Sequence, residues 1–250
     1  MNNQNITVII QARTGSTRLP NKIFKPLSGK PVLWHVYNRV KQSKLISQVV
    51  IATTDLPEDD AVEYFCNENK ISFYRGNSDN VLSRYFYAAK NFTAETIIRI
   101  TADCPVIDPV VLDKMIEEFL NTNKNEKLDY MSNSIVRTFP RGLDAEIFSM
   151  ATLEKTFNEA KLKYELEHVT PYIYQRPGLF KIKNFANDKD YSYYRWTVDT
   201  TEDYELLGKI YDSLYLQKEI FLLEDILKLF EEKPELAEIN KEIEQKKLGE

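Results

Sequence analysis

The sequence predicts an α/β protein built on a mainly parallel sheet sandwiched by helices, with an inserted α+β segment and a helical C-terminus. Short uninterrupted runs of β-branched and apolar residues (ITVIIQ at 6–11, VVIA at 49–52, TIIRIT at 96–101) have the pattern of strands buried on both faces. They alternate with segments of 3–4 apolar spacing, as crossover helices between parallel strands require. The chain has 250 residues, 43% of them hydrophobic and 28% charged. That composition suits one globular domain and excludes disordered or collagen-like structure.

In chain order, the strand at 6–11 leads into a polar loop at 12–30 that contains Pro20, Pro26 and the Ser28-Gly29 turn signal. Val32, Leu33, Val36, Tyr37 and Val40 mark a helix. A strand at 49–52, a helix at 57–69 and a strand at 71–74 follow. Ser78 or Asp79 is placed to cap a helix carrying Val81, Leu82, Tyr85, Phe86 and Ala89 inward. The strand at 96–101 precedes Asp103, and Asp108-Pro109 opens another helix. Beyond Leu128 the rhythm changes to short strands (130–132, 143–148, 180–185, 195–198) between helices at 151–160 and 165–174. The expected organisation is one domain over 1–250. Its nucleotide-side core is 6–127, an insertion at 128–190 lies over the binding face, and 191–250 returns to the core. Helices are expected at 202–215 and 220–231, and a charged tail at 234–247.

The net charge is −5, which disfavours nucleic acid as the main partner. Its distribution is uneven: residues 1–54 carry eight Lys or Arg and no acid. Charge alone leaves open whether they form an anion site or a solvated face. Two cysteines give no disulfide framework. No apolar run approaches the ~20 residues that span a bilayer. The polar start lacks a basic and then apolar leader pattern, so a cytoplasmic protein is expected.

Ligands of open α/β sheets bind beyond the carboxyl ends of the strands. Those ends carry residues 13–22, Thr53, Asp55, Arg75 and Asp103. The loop QARTGSTRLPNK (11–22) offers Arg13, Arg18, Lys22, hydroxyl side chains and backbone N–H groups to a polyphosphate. It is neither a Walker A loop nor a G-x-G-x-x-G fingerprint. Asp103 in ITADCP and Asp199 in WTVDT are carboxylates at strand ends, suited to share Mg²⁺ or, singly, to cap helices. Strand alternation puts Leu143, Ala145 and Ile147 on one face and Asp144, Glu146 and Phe148 on the other, pointing both carboxylates toward a pocket. No G-x-S-x-G or metal-spaced histidine pair occurs. Asp188-Lys189-Asp190 matches a D-x-D glycosyltransferase pattern but lies in a polar loop.

Seven segments in this order, QARTGSTRLPNK, ATTDLPEDD, YRGNSDNVLSRY, ITADCPVID, PRGLDAE, EHVTPYIY and RWTVDTTEDYELL, resemble the CMP-sugar synthetase cytidylyltransferases. The spore-coat polysaccharide branch is the most similar, with the acylneuraminate and 3-deoxy-manno-octulosonate enzymes related to it. The resemblance covers about residues 6–215. It implies a Rossmann-like nucleotidyltransferase fold and transfer of CMP from CTP to an acidic sugar with release of pyrophosphate. By that resemblance Ala12, Arg13, Ser16, Arg18, Lys22, Thr53, Asp55, Arg75, Arg84 and Asp103 bind the nucleotide. Asp103 and Asp199 hold Mg²⁺, and Arg13, Arg18 and Lys22 serve catalysis with them. Arg141, Asp144, Glu146, Glu167 and His168 meet the sugar, and the middle segment makes a homodimer contact. A glycosyltransferase of similar architecture and an inactive nucleotide-binding relative are the competing readings.

Overall fold

The computed structural model describes residues 4–245. The first three residues of the polar start and positions 246–247 of the expected tail lie outside the described residues. The first half supplies β1 (Ile6–Gln11), the two-residue pair β2 (Pro26–Leu27) and β3 (Lys30–Pro31), and α1 (Val32–Val40). It continues with β4 (Gln48–Thr54), α2 (Asp60–Asn69), β5 (Ser72–Gly76), α3 (Val81–Asn91), β6 (Thr96–Thr101) and α4 (Pro109–Asn125). The second half supplies β7 (Tyr130–Ser132), β8 (Glu146–Ser149), α5 (Met150–Glu159), α6 (Lys163–His168) and α7 (Pro171–Tyr174). It ends with β9 (Ile182–Asn184), α8 (Thr201–Leu214) and α9 (Leu223–Glu232).

One seven-stranded sheet runs in the order β5-β4-β1-β6-β8-β7-β9. The first four strands are mutually parallel, β8 is antiparallel to β6 and to β7, and β9 is parallel to β7. The continuous apolar runs are explained by burial on both faces. Val8, Ile10, Ile98 and Ile100 pack with Leu33, Val36, Phe65, Leu112 and Met115 of α1, α2 and α4. Ile9 and Ile97 pack with Leu82, Tyr85, Leu153 and Ile173 of α3, α5 and α7. A third cluster unites Trp196 and Val198 with Leu206 and Tyr211 of α8 and Phe230 of α9. No described helix is long and apolar enough to cross a membrane.

Several expectations change, among them the strand expected at 143–148, which begins only at Glu146. The 128–190 segment was expected as an inserted layer, but its three strands extend the main sheet. The strand expected at 195–198 is a loop with one bridge, Arg141 to Arg195. That stretch crosses the sheet's end, where Trp196 N–H donates to Arg141 and Val198 N–H donates to Asp103. The helix expected at 165–174 breaks at Val169 (φ 73°), because Pro171 has no N–H to continue the ladder. Asn80, rather than Ser78 or Asp79, caps α3 by accepting from Ser83 N–H at 2.8 Å.

Candidate active site

The loop after β1 is pinned from below. Asp59, buried, accepts from both the N–H and the hydroxyl of Thr14 at 2.7 Å. Asn21, in the left-handed region at φ 54°, then turns the chain into a short 3₁₀ segment, Lys22–Phe24. Lys22 thereby reaches the end of β6. Its Nζ donates to Asp103 Oδ2 at 2.7 Å and to Asp199 Oδ1 at 2.8 Å. Arg18 Nη2 lies 3.0 Å from Asp199 Oδ2. Thr101 donates to Asp103 Oδ1 at 2.5 Å.

Asp199 is held in place by a buried network. Arg195 bonds it at 2.8 Å and also bonds Asp203, which is fully buried and closes the capping box of α8 with Thr200. Asn240 and Gln245 complete the polar partners of this network. Burial by itself would raise the Asp103 carboxyl, but the Lys22 ammonium and its hydrogen bonds hold it at about 2. Burial likewise lowers Lys22, and the two carboxylates outweigh it, leaving its pKa raised.

These groups form one wall of a cleft of ≈ 590 Å³. Arg13, Ser16, Arg18, Lys22, Asp103 and Asp199 all line it, and so do Arg141, Asp144, Glu167 and His168. The segment containing Arg141 and Asp144 reaches the cleft because β8 runs antiparallel to β6. Its approach therefore lies at the carboxyl end of the parallel strands. Gly142 makes this possible: at φ 104° a Cβ would sit 2.3 Å from the Trp196 carbonyl oxygen. His168 is shifted down, chiefly by burial; Glu167 opposes the shift, and Arg99 and Arg13 add to it. It is therefore neutral near pH 7.

The structure corrects the reading of the two carboxylates as jointly open to the pocket. Asp144 lines the cleft but is gripped by both terminal nitrogens of Arg137. Glu146 is buried, bonded to Arg99 and accepting from Tyr130 and Thr170 hydroxyls at 2.5 Å each. Ile147 and Phe148 do face opposite sides of the sheet as expected. Ala12, Thr53, Asp55, Arg75 and Arg84 are not in the cleft wall. Ala12, just past β1, is buried and its N–H donates to the Ala52 carbonyl. Arg75 spends its guanidinium on Thr54 and Leu56 carbonyls and on Asp60 and Glu63. Arg84 is buried and donates to the Asn77 carbonyl. Asp190 caps its own turn by accepting from Ser192 N–H, so the D-x-D residues do not join the site.

Arg99, Arg137, Arg195, Asp203 and Asp59 escaped the sequence reading. Arg99 alone left a signal, a cation inside an otherwise apolar strand run.

The sequence profile of the cytidylyltransferases matches residues 7–248. The spore coat polysaccharide biosynthesis protein SpsF of Bacillus subtilis is 33% identical over 215 residues, covering 83% of this chain and 87% of that one. The 3-deoxy-manno-octulosonate cytidylyltransferase of Geobacter sulfurreducens is 36% identical over 112 residues, 45% of this chain and 44% of that one. A solved cytidylyltransferase from Leptospira borgpetersenii superposes with a TM-score of 0.89 at 36% identity, covering 97% of this chain and all of the other. A cationic first loop facing two strand-end carboxylates, on a sheet shared almost end to end with that enzyme, is thus accompanied by sequence likeness over nearly the whole length: the chain belongs to the cytidylyltransferase family.

Proposed function

We propose that the protein transfers CMP from CTP to an acidic sugar, releasing pyrophosphate, in the synthesis of a surface polysaccharide. The observation that carries this reading is the convergence of Asp103 and Asp199 on one cation, Lys22 Nζ, facing Arg13 and Arg18. The relatives named for polysaccharide biosynthesis and for an octulosonate substrate support the substrate class.

Two carboxylates that share one cation at 2.7 and 2.8 Å fit Mg²⁺, which takes its other ligands from phosphates and water. Asp103 and Asp199 would hold Mg²⁺, which would supply positive charge to polarise the α-phosphate and lower the pKa of the attacking hydroxyl. Arg13, Arg18 and Lys22 stabilise the negative charge that grows on pyrophosphate. Arg195 and Asp203 keep Asp199 oriented, and the opposite wall around Arg141 and His168 orients the sugar for in-line attack on phosphorus. The sugar's own hydroxyl is the nucleophile, so no Ser, Cys or His nucleophile is required. Asp55 and Arg75 brace the turn after β4, where Asp55 N–H donates to the Gly76 carbonyl and Arg75 donates to the Thr54 and Leu56 carbonyls. A homodimer working in the cytoplasm, where CTP is available, completes the reading.

The test is sugar-acid-dependent isotope exchange between pyrophosphate and CTP across a panel of sugar acids. Exchange with one or more of them supports CMP transfer. CTP binding with no exchange across the panel points to an inactive relative, and glycosyl transfer from a nucleotide sugar to a glycosyltransferase.

A further inference from the structure

Arg99 lies within β6, flanked by the buried Ile98 and Ile100, a position where an arginine loses most of its hydration. It stands directly across the ladder from Glu146, the first residue of β8. Glu146 Oε2 accepts from Arg99 Nη1, and Oε1 is taken by the hydroxyls of Tyr130 and Thr170. Both carboxylate oxygens thereby have protein donors. The guanidinium is not fully paired. Its Nε is buried without a partner, Nη2 has no acceptor among the described residues, and Arg99 lines the cleft. Nε and Nη2 form one edge of the guanidinium fork, the geometry that matches a carboxylate with two parallel hydrogen bonds.

The same carboxylate anchors the turn beside it. Thr170 follows Val169, a β-branched residue held at φ 73°, ψ −56°, a strained conformation that persists only when its surroundings enforce it. That turn seats Thr170 on Glu146 while His168 lines the cleft. Arg99 and the His168 turn are thus braced on one buried group.

The geometry points to Arg99 as the residue that reads the carboxylate of the acidic sugar, with Glu146 as the positioning residue that holds its fork. This rests on the nucleotidyl-transfer reading above. A carboxylate on the Nε–Nη2 edge would satisfy the orphaned donor and balance the cations on that wall. In Glu146→Gln the Oε1 acceptor can persist, but an amide replaces the oxygen that grips Arg99. Arg99→Lys keeps a cation for Glu146 but removes the fork.

The experiment measures binding by calorimetry with the full chain saturated by a CTP analogue that cannot release pyrophosphate. The probes are 3-deoxy-manno-octulosonate and its C1 carboxamide. Wild type is expected to prefer the acid by about tenfold or more, as for a charged hydrogen bond. Arg99→Lys and Glu146→Gln should each reduce that preference to about twofold or less, with affinity for the CTP analogue nearly unchanged. Tyr130→Phe, which spares the Arg99 contact, should keep the preference. An acid preference that survives in Arg99→Lys overturns the assignment, as does a wild type that fails to favour the acid. Thermal unfolding checks that each variant is folded; Arg99→Lys carries the test should Glu146→Gln unfold. Failure of wild type to bind the CTP analogue would instead sink the nucleotidyl-transfer reading itself.

Discussion

Asp103 and Glu146 sit on the two sides of one strand pair, β6 and β8, and each meets a cation, yet their surroundings differ. Asp103 lies just past the end of β6, keeps 22% of its side chain exposed and shares Lys22 with Asp199. Glu146 lies inside the β-ladder, opposite Arg99, with its other oxygen closed by Tyr130 and Thr170. A carboxylate beyond the ladder remains reachable by ligand, whereas one within it is walled in by neighbouring strands and must be satisfied by the protein. On the proposed reading the first exchanges its cation, while the second holds its own. The parallel half therefore offers chemistry at its strand ends, and the antiparallel half supplies a rigid wall.

The largest effect that probes this contrast is on stability. Glu146→Ala strands the Arg99 charge and two hydroxyls, and should cost about 3–5 kcal/mol of unfolding free energy in urea denaturation. A loss below about 1 kcal/mol would show that the enclosed pair is no firmer than a surface one. Asp103→Asn or Asp199→Asn should behave in the opposite way. Turnover should fall on the order of 10²–10³-fold, while thermal unfolding stays within about 3 °C of wild type. Wild-type turnover in either variant at limiting Mg²⁺ would remove that residue from the metal site.

His35 extends the comparison to a buried group with no counter-charge. Its Nε2 donates to the Leu27 carbonyl at 2.7 Å, and it packs against Trp34, Tyr211 and Tyr215. Burial lowers it from the ordinary 6.5 to about 4; Arg39 and Lys30 add to the shift, and the hydrogen bond to Leu27 opposes it. Because the folded value is depressed, the unfolded chain binds more protons between about pH 6.5 and 4. The His35 contribution is then complete above pH 6.5 and is lost as the pH falls toward 4, by roughly 3 kcal/mol in all. Stability curves for His35→Gln, which retains the bond to Leu27, should lack this part of the acid slope. Matching slopes in the two proteins would mean that the folded protein binds a proton at His35 as readily as the unfolded chain does.

The smallest expected effect is on nucleotide affinity. If Lys22 meets the triphosphate as proposed, Lys22→Ala should weaken CTP binding by roughly 1.5–3 kcal/mol, the worth of a charge-assisted hydrogen bond. Calorimetry showing unchanged affinity would confine Lys22 to neutralising Asp103 and Asp199, or to a contact made only in the transition state.

Strand periodicity, turn chemistry and the position of charges at strand ends are local properties, and the sequence carries them. It determined the limits of β1 and β6, the cationic loop with Arg13, Arg18 and Lys22, and both strand-end aspartates. Relations between distant segments were decided by the tertiary structure alone. Period-2 alternation put Asp144 and Glu146 on one face but could not show that Arg137 claims one and that Arg99, Tyr130 and Thr170 enclose the other. Arg75 looks like a ligand residue at a strand end until packing of α2 brings Asp60 and Glu63 to it. At Gly142 only the crossing of Trp196 reveals why no side chain fits. Hydrogen-bond saturation depends on which groups meet in space. A single chain can specify its strands locally, but it specifies which polar atoms remain free only after it has folded.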